Sequence, residues 1–362
     1  RGIGQYAPLL DLADTTLPLI PMQTFYDKLA YRLSGTPAQA HFTGIGGVGM
    51  AGVAFMLKKL GWSVSGCDST GNDLLDWLNA NGISTETENS PAHLQHLSPQ
   101  ADLVIRTPAV ALSSPELEEA VNAGIPVYDR GVLLAVLSGR HDTIAVCGTH
   151  GKTTTSSFIA SILNSLIPEK TSWCIGGISP FLGTVAGGSG LAADSEGGFL
   201  VAEADESDGT LALYKPYITV LNNLDLDHLE HFRDTRELED VFRSALSRTS
   251  HTIIYCADHP RATAVAMEPY KAQAISFGFS EGADYHISGG TYNELNSQFM
   301  LSVRGGQPIP VSIGVPGRHN VLNATAAIAA ACAAGLNLKT VCEALAKTAV
   351  LPARRFEKIG SP

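Results

Sequence analysis

The sequence predicts an α/β protein made of two consecutive domains, each with a mostly parallel sheet. Two glycine-rich turns carry this reading, Gly44–Gly49 and Gly148–Gly151, because each lies between an apolar strand-length run and a helix-length run. Short strand-like runs at Ser63–Cys67, Asp102–Ile105, Phe199–Ala202 and Ile218–Leu221 add to it, since they alternate with helical segments as βαβ units do.

Composition sets the outer limits. A chain of 362 residues, 44% hydrophobic and 16% charged, is long enough for two domains with separate cores at ~100–200 residues each. The net charge of −11 argues against nucleic acid and against anionic membranes as partners, so bound anions must be held by local positive features. Cys67, Cys147, Cys174, Cys256, Cys332 and Cys342 show no C-x-x-C spacing and read as free, mostly buried thiols of a reducing compartment. No run reaches the ~18 apolar residues of a membrane span and no signal pattern opens the chain, so a cytoplasmic protein is expected.

Residues 1–37 read as an N-terminal extension, with turns around Leu17–Pro21 and no motif. The first domain is placed at 38–140. Its strand His41–Thr43 runs into Gly44, Gly46 and Gly49, which satisfy G-x-G-x-x-G ahead of the helical stretch Ala51–Leu57. Asp68 follows the next strand, 19 residues beyond Gly49, where a ribose-binding carboxylate is expected. Such a Rossmann-like turn holds a dinucleotide or a nucleotide diphosphate equally well, because a helix N-terminus favours any diphosphate. Gly-rich turns also serve packing alone.

The second domain is placed at 141–352. Its strand Thr143–Val146 ends in Cys147-Gly-Thr-His-Gly-Lys-Thr-Thr-Thr155, and a helix then runs to Leu166. Glycines there let backbone N–H groups converge on a polyphosphate, Lys152 supplies a point charge, and Thr153 offers a hydroxyl to Mg²⁺. Val146 stands where the general P-loop formula has its first Gly, so only the tighter Gly148-x-x-Gly151-Lys152-Thr153 core is present. The strand Phe199–Ala202 delivers Glu203, Asp205, Glu206 and Asp208, and the strand Ile218–Leu221 delivers Asn222, Asn223, Asp227 and His228. In a parallel sheet both strand ends emerge beside the phosphate turn, where carboxylates and one imidazole suit Mg²⁺ or Mn²⁺. Capping and solvation account equally well for any single one of these carboxylates. Downstream, Asn320 and Asn323 sit three apart ahead of the Ala-rich stretch Ala324–Ala334, on one helix face next to Arg318 and His319.

Taken together, Gly44–Met50, Gly148–Thr155, Glu203–Asp208, Asn222–His228 and Gly317–Asn323 resemble, in order, the motifs of the Mur ligase family of ATP-dependent amide-forming enzymes. The resemblance runs from about residue 40 to 358 and is closest to the branch that adds L-alanine to UDP-N-acetylmuramate, the tripeptide-recycling branch being the near neighbour. Other branches carry a carbamoylated lysine shortly after the Asp-His pair, whereas no lysine occurs here between Lys215 and Lys271.

The resemblance implies ATP with Mg²⁺ or Mn²⁺, and UDP-N-acetylmuramate and L-alanine as substrates. It makes Lys152 and His228 catalytic and places ATP on Gly148, Thr149, His150, Gly151, Lys152, Thr153 and Thr154, with His319, Asn320 and Asn323 toward the adenine. Thr153, His228 and one of Glu203 and Glu206 would hold metal, Glu203 being nearer its strand's end. Gly44, Gly46, Gly47 and Gly49 would bind the UDP diphosphate, with Asp68 and Thr107 near the uridine or ribose. Family members continue into a third domain, and Arg354–Arg355–Phe356 resembles the hinge before it. Residues 353–362 are therefore expected to be a hinge in a portion of a longer ligase that is inactive alone. Two readings of other classes stand beside this one. A NAD-dependent oxidoreductase would use Gly44–Gly49 and Asp68 but leaves the Lys152 turn unexplained, and a non-catalytic nucleotide-binding module would bind without turnover. The sequence carries no signal for an oligomeric state.

Overall fold

The computed structural model describes residues 22–97, 100–190, 198–225 and 234–349. The turns expected at Leu17–Pro21, the hinge at 353–362, Asp227 and His228 lie outside these residues. The chain divides into two compact units, the first ending at Leu137 and the second starting at Ser138.

In the first unit, strands β1 (Gln39–Thr43), β2 (Ser63–Cys67), β3 (Ser84–Glu86), β4 (Leu103–Arg106) and β5 (Val127–Asp129) form a five-stranded sheet in the order β3-β2-β1-β4-β5. Every pair is parallel. Helices α2 (Val48–Lys59), α3 (Asp73–Ala80), α4 (Ala92–His96), α5 (Pro115–Asn122) and α6 (Arg130–Ser138) follow the strands in turn. All of β1 is buried, as expected of a strand covered on both faces. Asn72 caps α3 by accepting from the Leu74 and Leu75 N–H groups, and Pro115 opens α5, where its missing N–H costs nothing. The region read as an extension contains helix α1 (Met22–Ser34), which buries Tyr26, Leu29 and Leu33. Its apolar spacing is short and its mean polarity high, so it does not stand out in the sequence.

The second unit holds a ten-stranded sheet in the order β15-β14-β13-β12-β11-β10-β6-β9-β7-β8. Its strands are β6 (Asp142–Cys147), β7 (Thr171–Cys174), β8 (Ala186–Gly188), β9 (Phe199–Glu203), β10 (Ile218–Leu221), β11 (Thr252–Cys256), β12 (Gln273–Gly278), β13 (Tyr285–Tyr292), β14 (Ser297–Val303) and β15 (Ile309–Ile313). From β7 to β13 the neighbours run parallel, while β8, β14 and β15 pair antiparallel at the two edges, so the sheet is mixed. Helices α7 (Lys152–Leu166), α8 (Thr235–Arg248), α9 (Pro260–Ala266), α10 (Arg318–Ala333) and α11 (Leu338–Thr348) complete it. Phe158, Ile159, Ile162 and Leu163 of α7 share a buried core with the alanines of α10 and with β6, β9 and β10. The small side chains of α10 permit close approach, which is why this helix is buried almost all round.

Among the described residues no helix is long and apolar enough to cross a membrane, and all six cysteines are free, Cys67, Cys147, Cys174 and Cys256 being buried.

Candidate active site

Strand β6 lies between β9 and β10, with Val146 opposite Glu203 and Cys147 opposite Leu221. The chain order reverses here, so the turn after β6 meets the ends of both neighbours at the usual ligand crevice of such sheets. Gly148 has φ +116° and Gly151 has φ +82°, and a Cβ at either would stand 2.6 Å from the Asn223 carbonyl oxygen or 2.5 Å from Asn323 Oδ1. Only glycine fits both demands. Gly151 in the left-handed conformation starts α7 directly at Lys152, which brings Thr153 and Thr154 into the first turn beside the free N–H groups.

Lys152 Nζ donates to the Gly148 carbonyl at 2.9 Å and to both oxygens of Glu206 at 3.0 and 2.9 Å, with Asp205 at 4.0 Å. Glu206 is almost fully buried, and that burial pushes its carboxyl pKa up, although the Lys152 charge opposes the shift. Glu203 takes a different partner. Its Oε1 accepts from Thr153 Oγ1 at 3.2 Å and its Oε2 from the Gly176 N–H at 2.8 Å. Thus the two glutamates separate: Glu206 holds the lysine, and Glu203 stands with the hydroxyl.

The asparagines after β10 hold the turn. Asn223 Oδ1 accepts from the His150 N–H at 2.7 Å while its Nδ2 donates back to the His150 carbonyl at 3.0 Å. Asn222 Nδ2 donates to Thr155 Oγ1 at 3.0 Å, and Thr155 in turn reaches Asn323 Oδ1 at 3.2 Å. Thr149 is tied to Asp225 through the Asp225 N–H at 2.9 Å. The His150 ring itself is largely exposed, 3.8 Å from Asp225.

Beside the turn lies a cavity of about 290 Å³ lined by His150, Gly151, Thr154, Asn222, Asn223, Phe277, Leu322 and the trio His319, Asn320 and Asn323. Asn320 and Asn323 do share one face of α10, joined by a 3.4 Å contact from Asn323 Nδ2 to Asn320 Oδ1. Arg318 is turned elsewhere, its guanidinium 4.0 Å over the Phe279 ring. Phe277 entered the cavity wall without any local signal, because it arrives from β12, a strand distant in sequence. Asn222, Asn223 and Thr155 had a usable signal, two amides and a hydroxyl at strand and helix ends, but their bridging function is visible only in three dimensions.

In the first unit, Gly44 has φ +80° and a Cβ there would lie 2.5 Å from Thr107 Cγ2. Gly46 donates its N–H to Asp68 Oδ2 at 2.9 Å, and its carbonyl accepts from Asn72 Nδ2 at 3.2 Å. Gly47 caps α2, and a Cβ at Gly49 would stand 2.9 Å from Arg130 Nη1. The structure therefore gathers Gly44, Gly46, Gly47, Gly49, Asp68 and Thr107 at the ends of β1, β2 and β4. His228, expected to bind metal, lies outside the described residues.

The family model "Mur ligase family, catalytic domain" matches residues 39–141, and "Mur ligase middle domain" matches 146–331. The UDP-N-acetylmuramate–L-alanine ligase of Thermobifida fusca is 34% identical over 323 residues, covering 88% of this chain and 66% of the relative. That of Xanthomonas campestris pv. campestris is 36% identical over 330 residues, covering 89% and 65%. The chain thus spans about 65% of the length of these curated relatives. Among solved structures, the UDP-N-acetylmuramate-alanine ligase of Thermotoga maritima superposes with TM-score 0.74 at 27% identity, covering 86% of this chain and 68% of that one. A Neisseria ligase for UDP-N-acetylmuramate and L-alanyl-γ-D-glutamyl-meso-diaminopimelate gives the same TM-score and identity, covering 87% and 99%. With the middle-domain model spanning half of its residues and both turns built as described, the chain belongs to the Mur ligase family.

Proposed function

We propose that this chain carries the UDP-N-acetylmuramate and ATP sites of a ligase that joins L-alanine to the lactyl carboxylate of UDP-N-acetylmuramate. The observation that carries the reading is the paired arrangement at the second turn, Lys152 on Glu206 and Thr153 on Glu203. The alanine ligase names of the curated relatives at 34–36% identity support L-alanine as the amine.

In the reaction, the lactyl carboxylate attacks the γ-phosphorus of ATP, the bond to the bridging oxygen breaks, and ADP leaves an acyl phosphate behind. The alanine amine then attacks the acyl carbon, gives up a proton, and phosphate departs. Lys152 stabilises the charge spread over the transferring phosphoryl group, and the N–H groups of the Gly148–Thr154 turn position the phosphates. Glu206 holds the ammonium over the turn before the nucleotide arrives. The cavity beside Asn320, Asn323 and His319 receives the adenine. In the first unit the Gly44–Gly49 turn holds the diphosphate of UDP, with Asp68 ordering that turn through Gly46.

The residues fit Mg²⁺: two hard oxygens, Thr153 Oγ1 and Glu203 Oε1, lie 3.2 Å apart, close to the ~3.0 Å between neighbouring ligands of an octahedral ion bonded at ~2.1 Å. Bound there, Mg²⁺ supplies neutralisation of phosphate charge.

Two titrations and one assay test the reading. UDP-N-acetylmuramate should raise the melting temperature of the chain in a saturable way and NADH should not. In the full-length protein, ADP release should depend on both UDP-N-acetylmuramate and L-alanine. Saturable NADH binding without a response to the UDP-sugar overturns the assignment of the first unit. ADP release indifferent to L-alanine overturns that of the reaction.

A further inference from the structure

Four metal-ligating side chains that the proposed reaction leaves unused meet inside the first unit. His41 on β1, Cys67 at the end of β2, His93 on α4 and Glu116 in the first turn of α5 place their ligating atoms within 4.8 Å of one another. They converge on one fully buried carboxylate. Glu116 Oε1 faces His41 Nε2 at 3.1 Å and His93 Nδ1 at 2.9 Å, while Oε2 accepts from Cys67 Sγ at 2.9 Å and Thr43 Oγ1 at 2.8 Å. Among the described residues the only basic side chains that meet it are the two imidazoles, with neither Lys nor Arg in reach. Four hydrogen-bond contacts satisfy this buried carboxylate, and without Lys or Arg the cluster is a set of metal-ligating donors that holds no fixed cation of its own.

A second observation concerns the histidine. His41 Nδ1 lies 2.9 Å from Ser65 Oγ, which is itself 3.4 Å from Gln39 Nε2. The Ser65 contact on Nδ1 fixes the ring so that Nε2 points into the cluster at Glu116 Oε1, the outer hydrogen bond that ligating histidines commonly make. Thr43 does the same for the carboxylate.

We infer that His41, Cys67, His93 and Glu116 form a tetrahedral site for a divalent transition metal of the zinc class. The donor set decides the class, since thiolate and imidazole select zinc over magnesium or calcium. On binding, the metal takes the place of the hydrogens that now bridge the donors: Cys67 gives up its thiol proton, and both imidazoles bind as neutral bases. Thiolate and carboxylate together balance the two charges of the ion. Tetrahedral ligands at 2.0–2.3 Å lie roughly 3.3–3.8 Å apart, so the contacts to Glu116 need to open by about half an ångström while the wider separations within the 4.8 Å cluster close. His93 sits on a five-residue helix and its side chain is 16% exposed, against 2% for His41, which makes α4 the movable wall and the entry path. Such a site would tie β1, β2, α4 and α5 together directly beneath Gly44 and Asp68.

Cobalt provides the test, because Co²⁺ reports both tetrahedral geometry and a thiolate ligand. The full chain, stripped with chelator and titrated with Co²⁺ in excess Mg²⁺, should develop d–d bands and a thiolate-to-cobalt charge-transfer band that saturate at one equivalent. Zn²⁺ should bleach them and raise the melting temperature. Cys67→Ser should lose the charge-transfer band, and His93→Gln, at the most exposed ligand, should bind Co²⁺ at least about tenfold more weakly. Absence of the charge-transfer band in the unaltered chain overturns the proposal, and so does a band that survives in folded Cys67→Ser. Should that variant not fold, unchanged Co²⁺ affinity in His93→Gln overturns it.

Discussion

At the first turn Asp68 brings a carboxylate onto the Gly46 N–H, whereas at the second Lys152 folds an ammonium back over the Gly148 carbonyl. Both turns join a central parallel strand to a helix, and both use glycines where a Cβ would collide. The side chains that meet them differ. An acceptor on the loop itself orders the first turn, and the Arg130 guanidinium stands beside it at Gly49. The second turn adds a cation restrained by Glu206 and a hydroxyl paired with Glu203, groups suited to charge that moves during a reaction. Under the proposed function, one backbone device serves for holding in one unit and for chemistry in the other, and the difference resides in side chains delivered by neighbouring strands.

The largest expected effect would break this comparison most directly. Under the proposed reaction, Lys152→Ala should lower turnover of the native protein by roughly 100–1000-fold, about 2.7–4 kcal/mol of transition-state stabilisation. Its affinity for UDP-N-acetylmuramate should stay unchanged by calorimetry. A parallel loss of UDP-sugar binding would mean that the two turns do not divide the work as described.

Alanine at the positive-φ glycines sharpens the structural side. Gly148→Ala meets backbone of Asn223 and should cost on the order of 3 kcal/mol or more, while Gly44→Ala meets the end of a side chain and should cost roughly 1–3 kcal/mol. Thr107→Ser removes the methyl that a Cβ at Gly44 would strike, so it should recover part of the second loss in thermal melts. No recovery would place the whole cost in the backbone angle.

A smaller effect is expected in the cavity. Asn323→Ala removes the acceptor of Thr155 and should weaken ATP by about 1–2 kcal/mol, roughly 5–30-fold in KM, with UDP-sugar binding again indifferent.

The smallest concerns Arg32 and Asp102, which join α1 to the first unit at 2.7 Å. Burial works to raise the Asp102 carboxyl, yet hydrogen bonds from Arg32 and the Gln39 N–H outweigh it and hold the pKa below the usual value. A depressed carboxylate adds stability above its unfolded pKa of about 3.9 and loses it as pH falls through the folded value. Asp102→Asn should therefore cost at most about 1 kcal/mol near neutral pH, since the pair is a third exposed, and the difference should vanish in acid melts.

Much of the molecule was legible because its signals are local. Ser63–Cys67 and Ile218–Leu221 are strands over the very residues where the sequence places them, Ile218–Leu221 as a β-branched, apolar run that is buried throughout. The turn at Gly148–Thr153 was legible for a similar reason: glycine spacing and the following Lys-Thr pair are set by backbone geometry within a few residues. Helix α1 was not, because its buried face amounts to three residues among polar ones. The antiparallel strands β13 to β15 were equally hidden, their pairing being a matter of long-range register.

By itself, then, the sequence determined the α/β class, the two glycine turns, the residues they present and the family those motifs resemble. Tertiary structure alone decided which glutamate serves which partner. Glu203 and Glu206 stand three residues apart in one acidic segment, equal in chemistry, and only the burial of Glu206 against Lys152 and the opening of Glu203 toward Thr153 and Gly176 tell them apart. The same holds for His41, Cys67, His93 and Glu116, which lie in four separate elements and become a cluster only when β1 and β2 pair and α4 and α5 pack beside them. Local signals encode backbone conformation, which depends on near neighbours. The partners of a buried charge depend on which strands lie side by side, and no short stretch of sequence contains that.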